Sequence, residues 1–267
     1  MSYKNIKLFC VTDKPLPKIE NTSLILAGVG KYNFTSKYID TSTKINIFNK
    51  EKYYSELTFH YWYWKNLLNC NEDDWVGFCQ KRRFWIKKTS INKNITKENL
   101  LEHILTDADK SWNNFESLIC EPIKVSGAKK IKIIKRGWRN VLKDPSLIFD
   151  ENKQSIKLHF DMHHGYGKLD KAIDLLDKKQ RYKFKQYVIT NNTYNPHIMV
   201  ISKPKILDEW FTDLFKWLSD CEKTFGFNDL SGYDSQRLYA YLAERYLSFW
   251  FKDKTKYLEW PWKFIDN

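Results

Sequence analysis

The stretch Tyr53–Trp85, YYSELTFHYWYWKNLLNCNEDDWVGFCQKRRFW, decides the fold. Its first half carries apolar residues at Leu57, Tyr61, Trp64 and Leu68, a spacing that predicts a helix over Tyr53 to Asn69. Its second half, Trp75-Val76-Gly77-Phe78-Cys79, is too short for a helix and reads as a buried strand. The acidic turn Asp73-Asp74 precedes that strand and the cationic triplet Lys81-Arg82-Arg83 closes it. In open α/β sheets ligands bind at the C-terminal strand edge, so the triplet is expected where an anion would sit. Two guanidinium forks beside an ammonium suit a phosphate or diphosphate.

Outward from this stretch the chain alternates strands and helices. Ile6 to Val11 reads as a first buried strand and Ser23 to Ala27 as a second. Asn99 to Leu105, preceded by Thr96, reads as a capped helix; Ile131 to Ile134 alternates like a strand; Lys168 to Leu176 puts Leu169, Ile173 and Leu176 on one helical stripe. Tyr187 to Ile189 and Ile198 to Ile201 read as strands. Lys205 to Lys223 predicts an amphipathic helix with Trp210, Leu214, Trp217 and Leu218 inward, and a last helix is expected from Ser235 to Phe251. With no repeat, low-complexity linker or boundary in view, residues 1–267 are expected to form a single domain.

Composition narrows the class. At 267 residues with 42% hydrophobic and 16% aromatic content, the chain can bury a sizeable core. No apolar run approaches the roughly 20 residues of a membrane-spanning helix, and MSYKNIKLF lacks the apolar core of a signal peptide, so a cytoplasmic location is expected. Cys10, Cys70, Cys79, Cys120 and Cys221 are widely spaced without a CxxC pair; they read as reduced core thiols, neither a disulfide framework nor a zinc site. The net charge of +13 implies an anionic partner, for which a nucleotide diphosphate, a lipid diphosphate, an anionic membrane surface or nucleic acid all qualify. The basic runs Lys129 to Arg136 and Lys178 to Lys183 read as solvated faces, and a nucleic-acid partner is not expected.

The same stretch also resembles a known family. Asn49, Tyr54-Ser55-Glu56-Leu57-Thr58, Tyr61-Trp62, Trp64-Lys65-Asn66, Asp74-Trp75-Val76-Gly77-Phe78 and Arg82-Arg83-Phe84 are similar to the signature of bacterial capsular and exopolysaccharide glycosyltransferases catalogued as domain of unknown function 4422. Ile6 to Thr12 resembles the family's opening strand, and Ser231-Gly232-Tyr233-Asp234 with Arg237, Glu244 and Arg245 resembles its closing segment. The chain departs from the pattern at Asp13-Lys14, at Gln80-Lys81 and at Asn195-Pro196-His197-Ile198-Met199. The resemblance implies a GT-A-like α/β fold with a mixed central sheet flanked by helices. It also implies a UDP-sugar donor, UDP-galactofuranose by analogy, and a glycan or lipid-linked oligosaccharide acceptor. A lipid-linked acceptor and a basic surface together favour peripheral attachment to the inner membrane face.

Candidate site residues follow from these readings. Donor contacts are expected from Thr12, Asp13, Lys14, Asp40, Lys81, Arg82, Arg83, His163 and His164. Asn195, His197, Tyr233 and Arg237 are the acceptor-side candidates. Asp161-Met162-His163-His164-Gly165 is the candidate constellation for a divalent ion (Mn or Mg) through Asp161, although adjacent histidines splay apart on an extended chain. The alternative is a loop that brings an imidazole to phosphate or sugar, Gly165 and Gly167 permitting close backbone approach. Asp73-Asp74 precedes a strand where a metal-binding DxD follows one, and reads as a turn. His60 and His103 fall within helices and read as structural. For the general base of an inverting transfer the candidates are Asp234, then Glu244, then Glu56, whose competing roles are an ion pair for Glu244 and a first-turn carboxylate for Glu56. A non-catalytic glycan- or polyanion-binding protein is the other class that eleven tryptophans and the charge permit.

Overall fold

A computed structural model describes residues 5–266. In chain order its strands are β1 (Ile6–Thr12), β2 (Ile25–Gly28), β3 (Tyr38–Asp40), β4 (Trp75–Gln80), β5 (Arg83–Trp85) and β6 (Ser117–Cys120). They continue as β7 (Ile123–Lys124), β8 (Thr193–Tyr194), β9 (Val200–Ser202), β10 (Tyr257–Trp260) and β11 (Trp262–Phe264). The α-helices are α1 (Glu51–Tyr54), α2 (Leu57–Asn66), α3 (Leu100–His103), α4 (Lys130–Arg136), α5 (Trp138–Lys143) and α6 (Ile156–His164). After these come α7 (Lys168–Ile173), α8 (Lys178–Thr190), α9 (Pro204–Phe225), α10 (Tyr233–Gln236) and α11 (Leu238–Lys254). The chain forms two compact units, one of residues 1–121, 197–215 and 250–267, the other of residues 122–196 and 216–249.

The first unit is built on a mixed sheet in the order β10-β6-β9-β4-β1-β2-β3, with β5 and β11 continuing from β4. Strands β4, β1, β2 and β3 run parallel, and β9 is antiparallel to both of its neighbours. The expected α/β class and mixed central sheet are what the chain adopts. Strand alternation gives the sheet two apolar faces. On one face Phe9 and Phe78, paired in register, meet Phe59 and Tyr63 of α2 with ring centroids 5.0–6.1 Å apart. On the other, Leu8 and Cys10 join Trp75, Trp112 and Trp260, with Trp112 edge-on to Trp75 at 5.4 Å and to Trp260 at 5.1 Å. Each edge-to-face pair adds about 0.5–1.5 kcal/mol beyond area burial. Gly77 is required where β4 lies between β1 and β9: a Cβ there would stand 2.5 Å from Leu8 and 2.6 Å from Ile201.

The second unit is helical apart from the β7-β8 pair. Ile133 and Leu147 pack with Leu158 and Met162 of α6. Separately, Phe184, Trp217, Tyr246 and Phe249 form an aromatic group in which Trp217 donates its indole N–H to the carbonyl of Ala172 at 2.7 Å.

Several expected elements change. The Tyr53 to Asn69 helix breaks at Ser55, whose φ of 52° ends α1 before α2 begins, and the buried side of α2 is Leu57, Phe59, His60, Trp62 and Tyr63. Tyr61 and Trp64 are half-buried against Phe215 of α9, so the helix is apolar nearly all round. Ile131 to Ile134 lies within helix α4, because the four residues Ile-Lys-Ile-Ile are too few to separate a period of two from one of 3.6. Tyr187 to Ile189 is the last turn of α8, a helix announced by Asp177, whose carboxylate accepts from the N–H groups of Lys179 and Gln180 at 3.0 and 3.1 Å. The predicted helix over Asn99 to Leu105 shortens to α3 because Ile104 bridges to Ile86 and Leu105 donates to the carbonyl of Trp85. The last helix is divided into α10 and α11 at Arg237. Cys70 is exposed, unlike the four buried cysteines. Among the described residues no helix is long and apolar enough to cross a membrane.

Candidate functional site

At the C-terminal edge of the parallel strands the register aligns Thr12 with Gly28 and Gly28 with Asp40, while Val11 pairs with Gln80. The donor candidates of the first unit therefore share one edge. Thr12 closes β1 with a tight turn, its hydroxyl accepting from the N–H of Lys14 at 3.1 Å and donating to the Lys14 carbonyl. The Lys81 ammonium donates to the Asp13 carboxylate, and the Lys81 backbone N–H reaches the carbonyl of Val11 at 3.1 Å. Asp40 accepts from the backbone and hydroxyl of Ser42, at 2.9 and 2.6 Å, in a local turn.

The arginines are splinted from the C-terminal segment. Both guanidinium groups lie over Phe264, at 5.4 Å for Arg82 and 5.5 Å for Arg83, and Arg82 Nη1 is 3.4 Å from Asp266. Arg83 Nη1 donates to Gln80 Oε1 at 3.0 Å, and the Gln80 amide donates in turn to Glu56. Glu56 occupies the N-cap position of α2 without a side-chain cap bond; its carboxylate instead reaches the strand edge through Gln80. The Nε atoms of Arg82 and Arg83 are buried without a hydrogen-bond partner. A hollow of about 460 Å³ opens at Arg82, lined by Lys14, Lys18, Lys81, Arg82 and Lys97 over an apolar floor that includes Leu16, Ile19, Phe84 and Leu100. Among the described residues none of its lining side chains is a carboxylate, although Asp13 and Asp266 pair with Lys81 and Arg82 beside it, so it favours an anion that carries an apolar or flat portion.

In the second unit the sequence expectation is corrected: His163 and His164 lie on the last turn of helix α6, not on an extended chain or loop. The Ser155 hydroxyl caps that helix by accepting from Leu158 N–H at 3.3 Å, and helical spacing adds His159, which sequence reasoning missed, 4.7 Å from the His163 ring. The partners fix the protons. A carbonyl only accepts, so His164 Nδ1, 2.9 Å from the Asp234 carbonyl oxygen, carries its hydrogen. A guanidinium only donates, so Nδ1 of His163, 3.0 Å from Arg136, and Nδ1 of His159, 3.3 Å from Arg245, are lone-pair acceptors. Burial pushes all three imidazoles down, His159 to about 2, His163 to about 4 and His164 to about 3, with Arg245 reinforcing the shift at His159 and His164. They are neutral bases at pH 7.

Arg136 also places Nη1 3.0 Å from the Asp234 carboxylate, and His164 stacks on Tyr241 at 3.7 Å. Asp234 and Tyr233 sit on α10, following Gly232, which needs its φ of 75°, and Tyr233 is 80% exposed. Glu244 is bound to Arg245, whose side chain is 1% exposed and stacks 4.0 Å from Tyr194. Predicted residues Asp234, His163, His164 and Glu244 are therefore brought into one cluster, joined by His159, Arg136, Tyr241 and Arg245. Arg136 and Tyr241 carried no sequence signal for it.

Other candidates lie elsewhere. Asn195 has no exposed surface, and its amide oxygen accepts from Ser248 at 2.7 Å. His197, at a φ of 67°, lies edge-on to Trp262 at 4.5 Å in the first unit, and Arg237 is exposed at the end of α10. Asp161 is enclosed: one oxygen meets Lys157 at 2.8 Å and the other accepts from Gly167 N–H at 2.9 Å. A carboxylate so committed does not fit a metal ligand, and among the described residues no group of three or more His, Cys, Asp or Glu side chains is placed to hold an ion. His60 is fully enclosed, 4.5 Å from the Phe78 ring, and His103 Nδ1 lies 3.0 Å from the Ser90 hydroxyl.

The family described as a domain of unknown function, DUF4422, matches residues 7–255. The chain belongs to that family. A search of curated proteins finds no match to it. Among solved structures, this DUF4422 chain resembles a "WbbM bifunctional glycosytransferase apo structure", with a TM-score of 0.72 and 19% identity over 99% of its length. The aligned region spans 46% of that protein, about half of it, and at this identity the likeness establishes a shared fold.

Proposed function

We propose that the chain is a nucleotide-sugar-dependent glycosyltransferase that adds a hexosyl residue to a capsular, O-antigen or exopolysaccharide glycan. The observation that carries this is the cationic hollow lined by Lys14, Lys18, Lys81, Arg82 and Lys97 at the C-terminal ends of β1 and β4. The family membership and the fold shared with a glycosyltransferase support it. Lys14, Lys81 and Arg82 would bind the diphosphate and neutralise the charge that develops as it leaves, with Thr12 and Asp13 shaping the edge. Arg83, held through Gln80 to Glu56, would orient the same group. On the acceptor side Asp234, held by Arg136, would take the proton of the attacking hydroxyl, and the neutral imidazoles His163 and His164 would contact sugar hydroxyls. UDP is the leading nucleotide and galactofuranose the leading sugar, with a lipid-linked oligosaccharide as the leading acceptor.

Thermal shift with UDP, GDP, CMP and dTDP, with and without manganese, tests the donor reading, because a ligand that binds only the folded state raises Tm by mass action. UDP alone is expected to raise it. A flat response to every nucleotide, with and without the metal, would remove the donor assignment.

A further inference from the structure

The basic run from Lys129 to Lys143 has a second character that its charge obscures. Ile131, Ile134, Trp138 and Leu142 recur at intervals of three, four and four and are 68%, 48%, 51% and 74% exposed. Phe149 nearby is 74% exposed, with the Lys130 ammonium 4.9 Å from its ring. The inward side of the same two helices is already filled, Ile133 being fully buried against Leu158 and Met162. Gly137 lets α4 turn into α5 at close range, since a Cβ there would stand 2.8 Å from the Ile133 carbonyl oxygen and 3.2 Å from Met162. Among the described residues, the outward side is thus an exposed apolar stripe. Lys129, Lys130, Lys132, Lys135, Arg139 and Lys143 accompany it, and residues 129–143 contain no Asp or Glu.

We infer that α4 and α5 form a docking face for an anionic lipid bilayer, the stripe entering the acyl boundary and the cations resting on the headgroups. Charge complementarity selects the occupant: residues 129–143 supply seven cations and no carboxylate of their own, with Arg136 paired to Asp234, and such a rim repels basic partners and attracts an anionic surface. The aliphatic side chains separate lipid from nucleic acid, which rewards aromatic platforms and phosphate contacts and leaves Ile131, Ile134 and Leu142 in water. Trp138 supplies the ring favoured at a headgroup boundary. The face shares α4 with Arg136, which holds Asp234, but its argument does not rest on the glycosyltransferase reading, and its test uses no sugar.

Co-sedimentation with vesicles of phosphatidylcholine containing phosphatidylglycerol, against phosphatidylcholine alone, is the experiment. The protein is expected to pellet with the anionic vesicles at low salt and to be released as salt shortens the screening length. Trp138→Ser with Leu142→Ser, and separately Lys130→Glu with Lys135→Glu, should each weaken binding at least ~tenfold, equivalent to about 1.4 kcal/mol. If the apolar pair melts early, brominated phosphatidylglycerol gives a second readout, a quenching of tryptophan emission that Trp138→Phe removes. Failure of the wild type to pellet, full binding by the apolar pair in a folded protein, or absence of that quenching would each overturn the inference. A DNA duplex bound by these lysines while vesicles are ignored would do the same and give the face to nucleic acid.

Discussion

Arg136 Nη1 lies 3.0 Å from a carboxylate oxygen of Asp234, 98 positions further along the chain, and the same nitrogen lies 3.0 Å from Nδ1 of His163. One guanidinium therefore orients both a carboxylate and a neutral imidazole, and the proposed base is held by α4 instead of being left free on a turn. Asp234→Asn keeps the shape and removes the base. Turnover is expected to fall by ~10²–10⁴-fold with Tm nearly unchanged, measured by product formation and by melting of the same sample. Full transferase activity in the variant would discard Asp234 as the base.

Glu244 answers differently. Its partner Arg245 is 1% exposed, so Glu244→Gln leaves a buried cation without its countercharge. Breaking such a pair costs about 3–5 kcal/mol. Urea unfolding should show that loss in the midpoint, and a stable but slow variant would move the base from Asp234 to Glu244.

Acid should weaken the fold through its histidines. His60 is pushed down to about 3 by burial, whereas an unfolded histidine titrates near about 6.5. Between those values the unfolded chain binds the extra proton, so stability is intact above about pH 6.5 and falls as pH drops, by up to about 1.4 kcal/mol per pH unit. His159 and His164 act in the same direction. Tm measured from pH 7.5 to 5 should decline, and His60→Leu should flatten the slope. A level profile would contradict neutral burial.

For the donor edge, Lys81→Ala and Arg82→Ala should each raise the Kd for UDP by roughly tenfold, about 1.4 kcal/mol. Isothermal titration checks this. Unchanged affinity in both folded variants would place the nucleotide elsewhere.

Gly77→Ala tests the sheet itself. Its Cβ would press on Leu8 and Ile201 from within the central strand, and overpacking of this kind costs about 1–3 kcal/mol. A melting temperature at the wild-type value would show that β1 and β9 yield more than their spacing implies.

A helix and a strand in Tyr53–Trp85 were legible, the one from helical spacing and the other as an apolar run too short for a helix. The helix's break at Ser55 and its buried face of Leu57, Phe59, His60, Trp62 and Tyr63 were not, whereas the cationic triplet was legible because it follows a strand. The same reasoning failed at Ile131 to Ile134 and at Tyr187 to Ile189, where the apolar runs are too short for period to discriminate and a distant cap, Asp177, settles the second. His159 joins His163 only once α6 is known to be helical, since i and i+4 share a face on a helix and not along a strand.

By itself the sequence determined the class, the sheet edge and the cations that close it, because these depend on local periodicity and on what directly follows a strand. Only the tertiary structure decided that Glu56 serves Gln80, that Asp161 is spent on Lys157, and that Arg136 holds Asp234. Those pairings join residues distant in the chain or choose among several nearby cations, and no one-dimensional pattern encodes which of many equivalent carboxylates a given donor will meet.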